Sequence, residues 1–270
     1  MQVYRGMDIG TAKPSAALRG EIVHRMIDVV DPSQPYSVAE FQSEGRAALA
    51  ELAADGTPVI IVGGSGLHFR ALVDPLEFPP TDPELRAELE ASATASLVVE
   101  LLESDPAAGA AVDLQNPRRV VRAVEILRLT GSTPSERQAS EEARMVRAYT
   151  PDRALTAIGF DPGEVLRARI VERFDAMVEL GLVEEVRSLG VLGPTASRAV
   201  GYKELAPFVA GEATLQEART AAIAATASLA KRQRTFFRRD PRIAWLPWQD
   251  AAAARIDAAL GAVEELSWIS

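Results

Sequence analysis

The stretch "TPVIIVGG" (residues 57–64) constrains the fold more than any other in this chain. It is a short, continuous apolar run closed by a glycine pair, the pattern of a strand buried on both faces. Strands of that kind belong to parallel sheets covered by helices. Two further runs, "ALTAIGF" (154–160) and "RIAWLPW" (242–248), read the same way. Helix starts are clearly marked between them. "SVAE" (37–40) and "TLQE" (214–217) have the form of capping boxes, and Pro83 and Pro162 each suit a first helical position. Long helices are expected over about 162–189 and 214–238. From about residue 78 to 150 the strand signals stop, and the composition turns to the helix formers Ala, Leu, Glu and Arg. These patterns predict an α/β core made of residues 1–77 and 151–270, interrupted by a helical insertion at 78–150. Helices that merely flank the sheet are the plainer alternative for that segment.

Composition narrows the function classes. No apolar run reaches membrane-spanning length, and the first residues lack a basic stretch followed by an apolar one. A cytoplasmic protein without a membrane partner is the expectation. The chain has no cysteine, which removes disulfides, thiolate metal sites and cysteine nucleophiles. His24 and His68 lack the carboxylate spacing of a zinc site, so no metal-ligating residue is expected, and no serine sits in a nucleophile elbow.

The net charge of −9 argues mildly against nucleic acid, but the charge is unevenly spread. "RRVVRAVEILR" (118–128) holds four arginines against one glutamate, and "KRQRTFFRR" (231–239) holds five cations and no acid. Arg119 and Arg122 are three apart and Arg118 adjoins them, so two or three guanidinium groups project to one side of a helix. Lys231, Arg234 and Arg238 form a second stripe at steps of three and four. Such stripes suit an RNA backbone, or else are solvated helix faces. Arg169 and Arg173, four apart on one helix face, either grip a phosphate together or pair with Glu172 and Asp175.

The opening "MQVYRGMDIGTAKPS" reads as the end of a strand followed by a turn rich in groups that favour phosphate. "VGGSGLHF" (62–69) brings glycines after a strand and before a helix, which lets backbone approach an anion or simply makes a tight turn. Together with "DVVDPSQPYSVAEFQ", "DPELR", "NPRRVVRAVEILRLTG", "RIVERFDAMVELGLVEEV", "AVGYKEL" and "AKRQRTFFRRD", these motifs resemble the tRNA dimethylallyltransferases in family order over nearly the whole chain.

The resemblance implies a P-loop, nucleotide-kinase-like parallel sheet with a helical insertion that holds the anticodon stem-loop of tRNA. It implies transfer of a dimethylallyl group from dimethylallyl diphosphate to N6 of the adenosine beside the anticodon, with Mg²⁺ present. It assigns Arg173 to the diphosphate and reacting centre. Met1, Gln2, Gly10, Thr11 and Lys13 match the substrate-contacting segment and turn, and Ser65, Arg86, Arg119 and Arg122 match RNA-contacting positions. Arg118 stands where the family has Gln, His68 where it has Tyr, and Ala227 where it has Arg. With Lys231, Arg234 and Arg238 these form the expected tRNA surface. The family's first strand, its ATP-type P-loop with a Mg²⁺-holding hydroxyl, and its general-base Asp all precede the position matched by Met1. The 270 residues alone are therefore expected to lack that first strand and P-loop and to show no dimethylallyl transfer. A catalytically inactive tRNA-binding remnant and a prenyltransferase of free adenine nucleotides are the alternative readings, and a monomer is expected.

Overall fold

A computed structural model describes residues 1–267. Contacts divide it into two compact units, Met1–Leu72 with Thr156–Ser270, and Val73–Leu155. No helix among the described residues is long and apolar enough to cross a membrane.

The first unit carries α1 (Ala16–Glu21), α2 (Val38–Ala54) and α3 (Gly66–Val73) before the break. The second holds α4 (Pro83–Ala91), α5 (Thr94–Ser104), α6 (Pro117–Thr130), α7 (Pro134–Ala139) and α8 (Glu141–Arg147). The first then resumes with β1 (Ala157–Phe160), α9 (Leu166–Glu179), α10 (Leu182–Ser188), α11 (Tyr202–Val209), α12 (Leu215–Phe237), β2 (Ile243–Leu246) and α13 (Ala252–Ser267).

Strands β1 and β2 pair in parallel, with Ala157 opposite Ile243 and Phe160 opposite Leu246. The crossover between them contains α9 to α12, as parallel pairing requires. Tyr4 and Val30 add an isolated parallel bridge. The core of this unit gathers Tyr4, Met7, Phe174, Leu182, Tyr202 and Leu205.

Local signals act as chemistry dictates. Ser37 and Glu40 at the start of α2, and Thr214 and Glu217 at the start of α12, make reciprocal capping hydrogen bonds. Asp82 caps α4 with Pro83 in its first turn. The helix expected over 162–189 is instead a 3-10 turn at Gly163–Val165 followed by α9 and α10. Pro162 caps the 3-10 turn, and Gly181 at φ 102° separates the two helices in a conformation that side-chain-bearing residues resist.

The run "TPVIIVGG" forms no strand. Ile60 and Val62 are 86% and 89% exposed, and Val59 and Ile61 are 43% exposed. The alternation is that of an extended chain, but among the described residues no strand lies beside it. Apolar composition measures a tendency to be buried, whereas a strand also requires a neighbouring backbone to bond.

The second unit is entirely helical. Its separate core is built from Leu89 of α4, Leu97 and Leu101 of α5, and Val120, Val121 and Val124 of α6. Those three valines recur on one stripe of α6, so its charged residues are displaced to other faces.

Candidate functional site

The first ten residues are tied down by a single carboxylate. Glu185 of α10 accepts the backbone N–H groups of Asp8 (2.9 Å), Ile9 (2.7 Å) and Gly10 (3.2 Å), together with the Tyr202 hydroxyl (2.5 Å). Three successive N–H groups converging on one anion form a nest. Burial first, and the hydrogen bond to Glu185 second, push the Tyr202 phenol above its ordinary value, so it donates at every physiological pH.

The turn that follows is clamped from both sides. Gln2 donates through Nε2 to the carbonyl oxygens of Thr11 and Ala12, both at 3.0 Å. The Thr11 hydroxyl donates to the Met7 carbonyl. Lys13, its side chain 2% exposed, donates to the Tyr4 carbonyl (2.6 Å), Asp8 (2.6 Å) and Asp28 (2.5 Å). All three ammonium protons thus have partners within the protein. Gln2, Gly10, Thr11 and Lys13 do come together, but their polar groups hold the turn itself. Met1 is half-exposed beside them in sequence.

The glycine-rich turn is shaped by α12. A Cβ on Gly64 would lie 2.5 Å from the Gln233 amide, and one on Gly66 would overlap the ring of Phe236. Gln233 also donates to the Gly64 carbonyl at 2.8 Å. Close packing of α12 accounts for these glycines without an anion. Ser65 Oγ and His68 Nδ1 share a hydrogen bond at 2.7 Å, and burial lowers the His68 pKa, so the ring is neutral at physiological pH.

Lys231, Arg234 and Arg238 do not act as one free stripe. Asp161 binds Arg234, which also donates to the Gly163 carbonyl at 3.0 Å, and accepts from Arg238 at 2.7 Å. Lys231 is exposed. Arg173 is exposed on α9, and Arg169 stacks on Trp248 at 4.8 Å, so the two arginines do not act as a pair. Asp175, offered as a partner for that pair, binds Arg219 through two hydrogen bonds instead. A cavity of about 550 Å³ lies between α9 and α12, lined by Leu166, Ile170, Val171, Ile223 and Ala224 with Arg167 and Arg234.

In the second unit, Glu125 is fully buried. It binds Arg86, accepts from Arg122 at 2.7 Å, and takes the Asp82 N–H at 3.0 Å. Arg122 also donates to the carbonyls of Pro79 (2.6 Å) and Pro80 (2.9 Å). Two arginines matched to RNA-contacting positions are therefore bound first to an internal acid. Arg118 and Arg119 are exposed, and Arg119 lies 3.8 Å from Asp113. Both line a cavity of about 560 Å³ with Arg122 and Arg137. Sequence reading missed Arg137, a lone cation outside the basic runs, and Arg167, which lies two residues before Arg169 and so off the face that Arg169 and Arg173 share.

Several carboxyls sit below their ordinary range. Burial opposes ionisation at Asp28, Asp161 and Glu125, but hydrogen bonds from cations and backbone N–H groups outweigh it. Groups with a depressed folded pKa contribute stability that is present above the unfolded value, about 4, and lost as pH falls through the folded value. Urea midpoints should hold steady from neutrality to about pH 5 and then drop steeply below about pH 4. A midpoint unchanged down to about pH 3 would contradict these ion pairs.

The chain is an acidic α/β protein with a separate all-helical unit and exposed arginines on helix faces. Comparison with known proteins makes the assignment specific. The family model described as IPP transferase matches residues 2–240, and the chain belongs to that family. It is 42% identical over 259 residues to a tRNA dimethylallyltransferase of Nocardioides sp., covering 93% of this chain and 81% of that protein. It is 44% identical over 255 residues to one of Streptomyces avermitilis, covering 91% and 79%. The full-length tRNA isopentenylpyrophosphate transferase of Bacillus halodurans superposes with a TM-score of 0.67 at 35% identity, over 99% of this chain and 87% of that one. A eukaryotic dimethylallyltransferase acting on tRNA shares the fold, with a TM-score of 0.76 at 23% identity, over 95% of this chain and 69% of that one.

Proposed function

We propose that this protein serves its family's reaction, transfer of the dimethylallyl group of dimethylallyl diphosphate to N6 of the adenosine beside the anticodon of tRNA; the lack of transfer expected of residues 1–270 alone is checked by assaying the purified chain. The family match across residues 2–240 carries the reading. In the reaction the allylic C–O bond breaks, the N6–C bond forms, pyrophosphate leaves, and the N6 proton passes to solvent or to the departing pyrophosphate. A P-loop nucleotide-kinase-like topology belongs to the same reading. The parallel pairing of β1 with β2 and the helical crossover between them support it.

The chain's own residues supply binding and placement. The cavity between α9 and α12 offers apolar walls for a five-carbon tail and guanidinium groups for a diphosphate. Arg173, which the resemblance assigns to the diphosphate, is exposed on α9 outside the residues that line this cavity. Arg118, Arg119 and Lys231 are exposed cations for the anticodon stem-loop. The clamped turn of Gln2, Gly10, Thr11 and Lys13 provides a fixed wall for the substrates, and the Ser65 hydroxyl is a neutral donor for RNA. Arg86 and Arg122, each partly exposed beside Glu125, add positive potential at the edge of the second unit.

Among the described residues no group of three or more His, Asp or Glu side chains is placed to bind a metal; Mg²⁺, which the family resemblance implies, would be held mainly by the oxygens of the bound diphosphate.

Deleting the encoding gene from its host should abolish dimethylallyl-modified adenosine in tRNA, read by mass spectrometry of digested nucleosides. Modification that persists at its original level would overturn the proposal.

A further inference from the structure

The cavity at the N-terminal end of α6 has an unbalanced charge. Four arginines line it: Arg118, Arg119, Arg122 and Arg137. Arg122 is committed to two carbonyls and Glu125, and Arg119 has only a distant Asp113 at 3.8 Å. Arg137, on α7, stands differently. Its Nε is buried and has no hydrogen-bond partner. Burial first, and the positive charge of Arg122 second, make its charged form unfavourable. A partly buried cation beside another cation, with its Nε donor buried and unmet, is a costly arrangement that folding alone does not favour.

The remaining lining says what would satisfy it. Ala111, Val112, Ala123 and Ile126 form apolar walls, while the first turn of α6 brings its positive end and Asn116 to the same cavity. At about 560 Å³ the space far exceeds what a bare oxyanion fills. A phosphate suits the guanidinium groups, and the apolar walls suit a sugar attached to it.

We infer that Arg137 seats a backbone phosphodiester of the bound RNA in this cavity, with Arg118 and Arg119 closing over it. This inference rests on the reading of the protein as a tRNA-modifying enzyme and adds the place where one phosphate is held. Arg137 acts as a binding residue at a distance from the chemistry, and its cost to the free protein is offset when the RNA arrives.

The test measures binding of a labelled anticodon stem-loop to the full chain across a range of salt concentrations. Arg137→Gln should weaken binding about tenfold and reduce the salt slope by about one phosphate's worth. Arg144→Gln, which removes an exposed arginine of α8 paired with Glu141 outside the cavity, should leave both unchanged. In the absence of RNA, Arg137→Gln should melt at the same temperature as the parent or higher, because it removes a partly buried cation whose Nε has no partner. Arg137→Met provides the same check should the amide disturb packing.

Parent-like affinity and salt slope in a folded Arg137→Gln would overturn the inference alone. Failure of the parent chain to bind the stem-loop would overturn the tRNA reading and this inference with it. Stabilisation of the parent by inorganic phosphate, with RNA affinity unaltered in Arg137→Gln, would reassign the cavity to free phosphate and overturn the RNA assignment.

Discussion

Replacing Glu125 with alanine should destabilise the helical unit by about 3–5 kcal/mol, the largest single effect expected in this protein. The carboxylate is fully buried and receives Arg86, Arg122 and the Asp82 N–H. Removing it leaves two guanidinium groups facing each other, with a backbone donor unmet at the start of α4. Glu125→Gln keeps the shape and should recover part of the loss, because the amide oxygen still accepts while the NH₂ in place of the second oxygen cannot. Chemical unfolding followed by the helical signal would read the effect. A loss below about 1 kcal/mol for the alanine variant would show that Arg86 and Arg122 are satisfied without this acid. A selective gain in RNA binding for a still-folded variant is not expected, since both arginines would lose the group that orients them.

Replacing Glu185 with alanine should cost about 3 kcal/mol and release the first turn. Four donors converge on this side chain, three from the backbone of residues 8–10 and one from Tyr202. Hydrogen bonds to a charged acceptor are worth more than neutral ones, and the donors of Ile9, Gly10 and Tyr202 left behind are partly buried. Amide exchange at residues 8–10 should accelerate well beyond what global destabilisation predicts. Exchange that keeps its parent protection would mean that the Lys13 and Gln2 contacts hold the turn without the nest. Tyr202→Phe removes one donor of the four and should cost about 1 kcal/mol, since the carboxylate keeps its three backbone partners.

Much of this arrangement is legible in the residues alone. The capping boxes at Ser37 and Thr214 act within four residues, so local sequence is sufficient to set them. β1 and β2 were equally visible, because each is a short apolar run that finds a parallel partner. The run at 57–64 carried the same signal and formed no strand, because pairing depends on a second segment that composition does not report. The arginine motifs were visible as charge. Their ion pairs were not: Glu125 sits three residues from Arg122 and could be suspected, but its bond to Arg86 spans 39 residues. Asp161 lies 73 residues from Arg234 in the same way. Arg137 was invisible for the opposite reason, since its significance lies in the partner it lacks.

The exposed run at 57–64 also bears on how this protein behaves in concentrated solution. Four consecutive β-branched residues, Val59, Ile60, Ile61 and Val62, present open backbone and apolar side chains with no charge among them. Such a segment is a template for intermolecular sheet growth. Lysine, proline or a bulge usually blunts an edge of this kind, and here only Pro58 stands guard at one end. Aggregation at high concentration is expected to start at these four residues, and Ile60→Lys or Val62→Lys should raise the concentration at which light scattering appears.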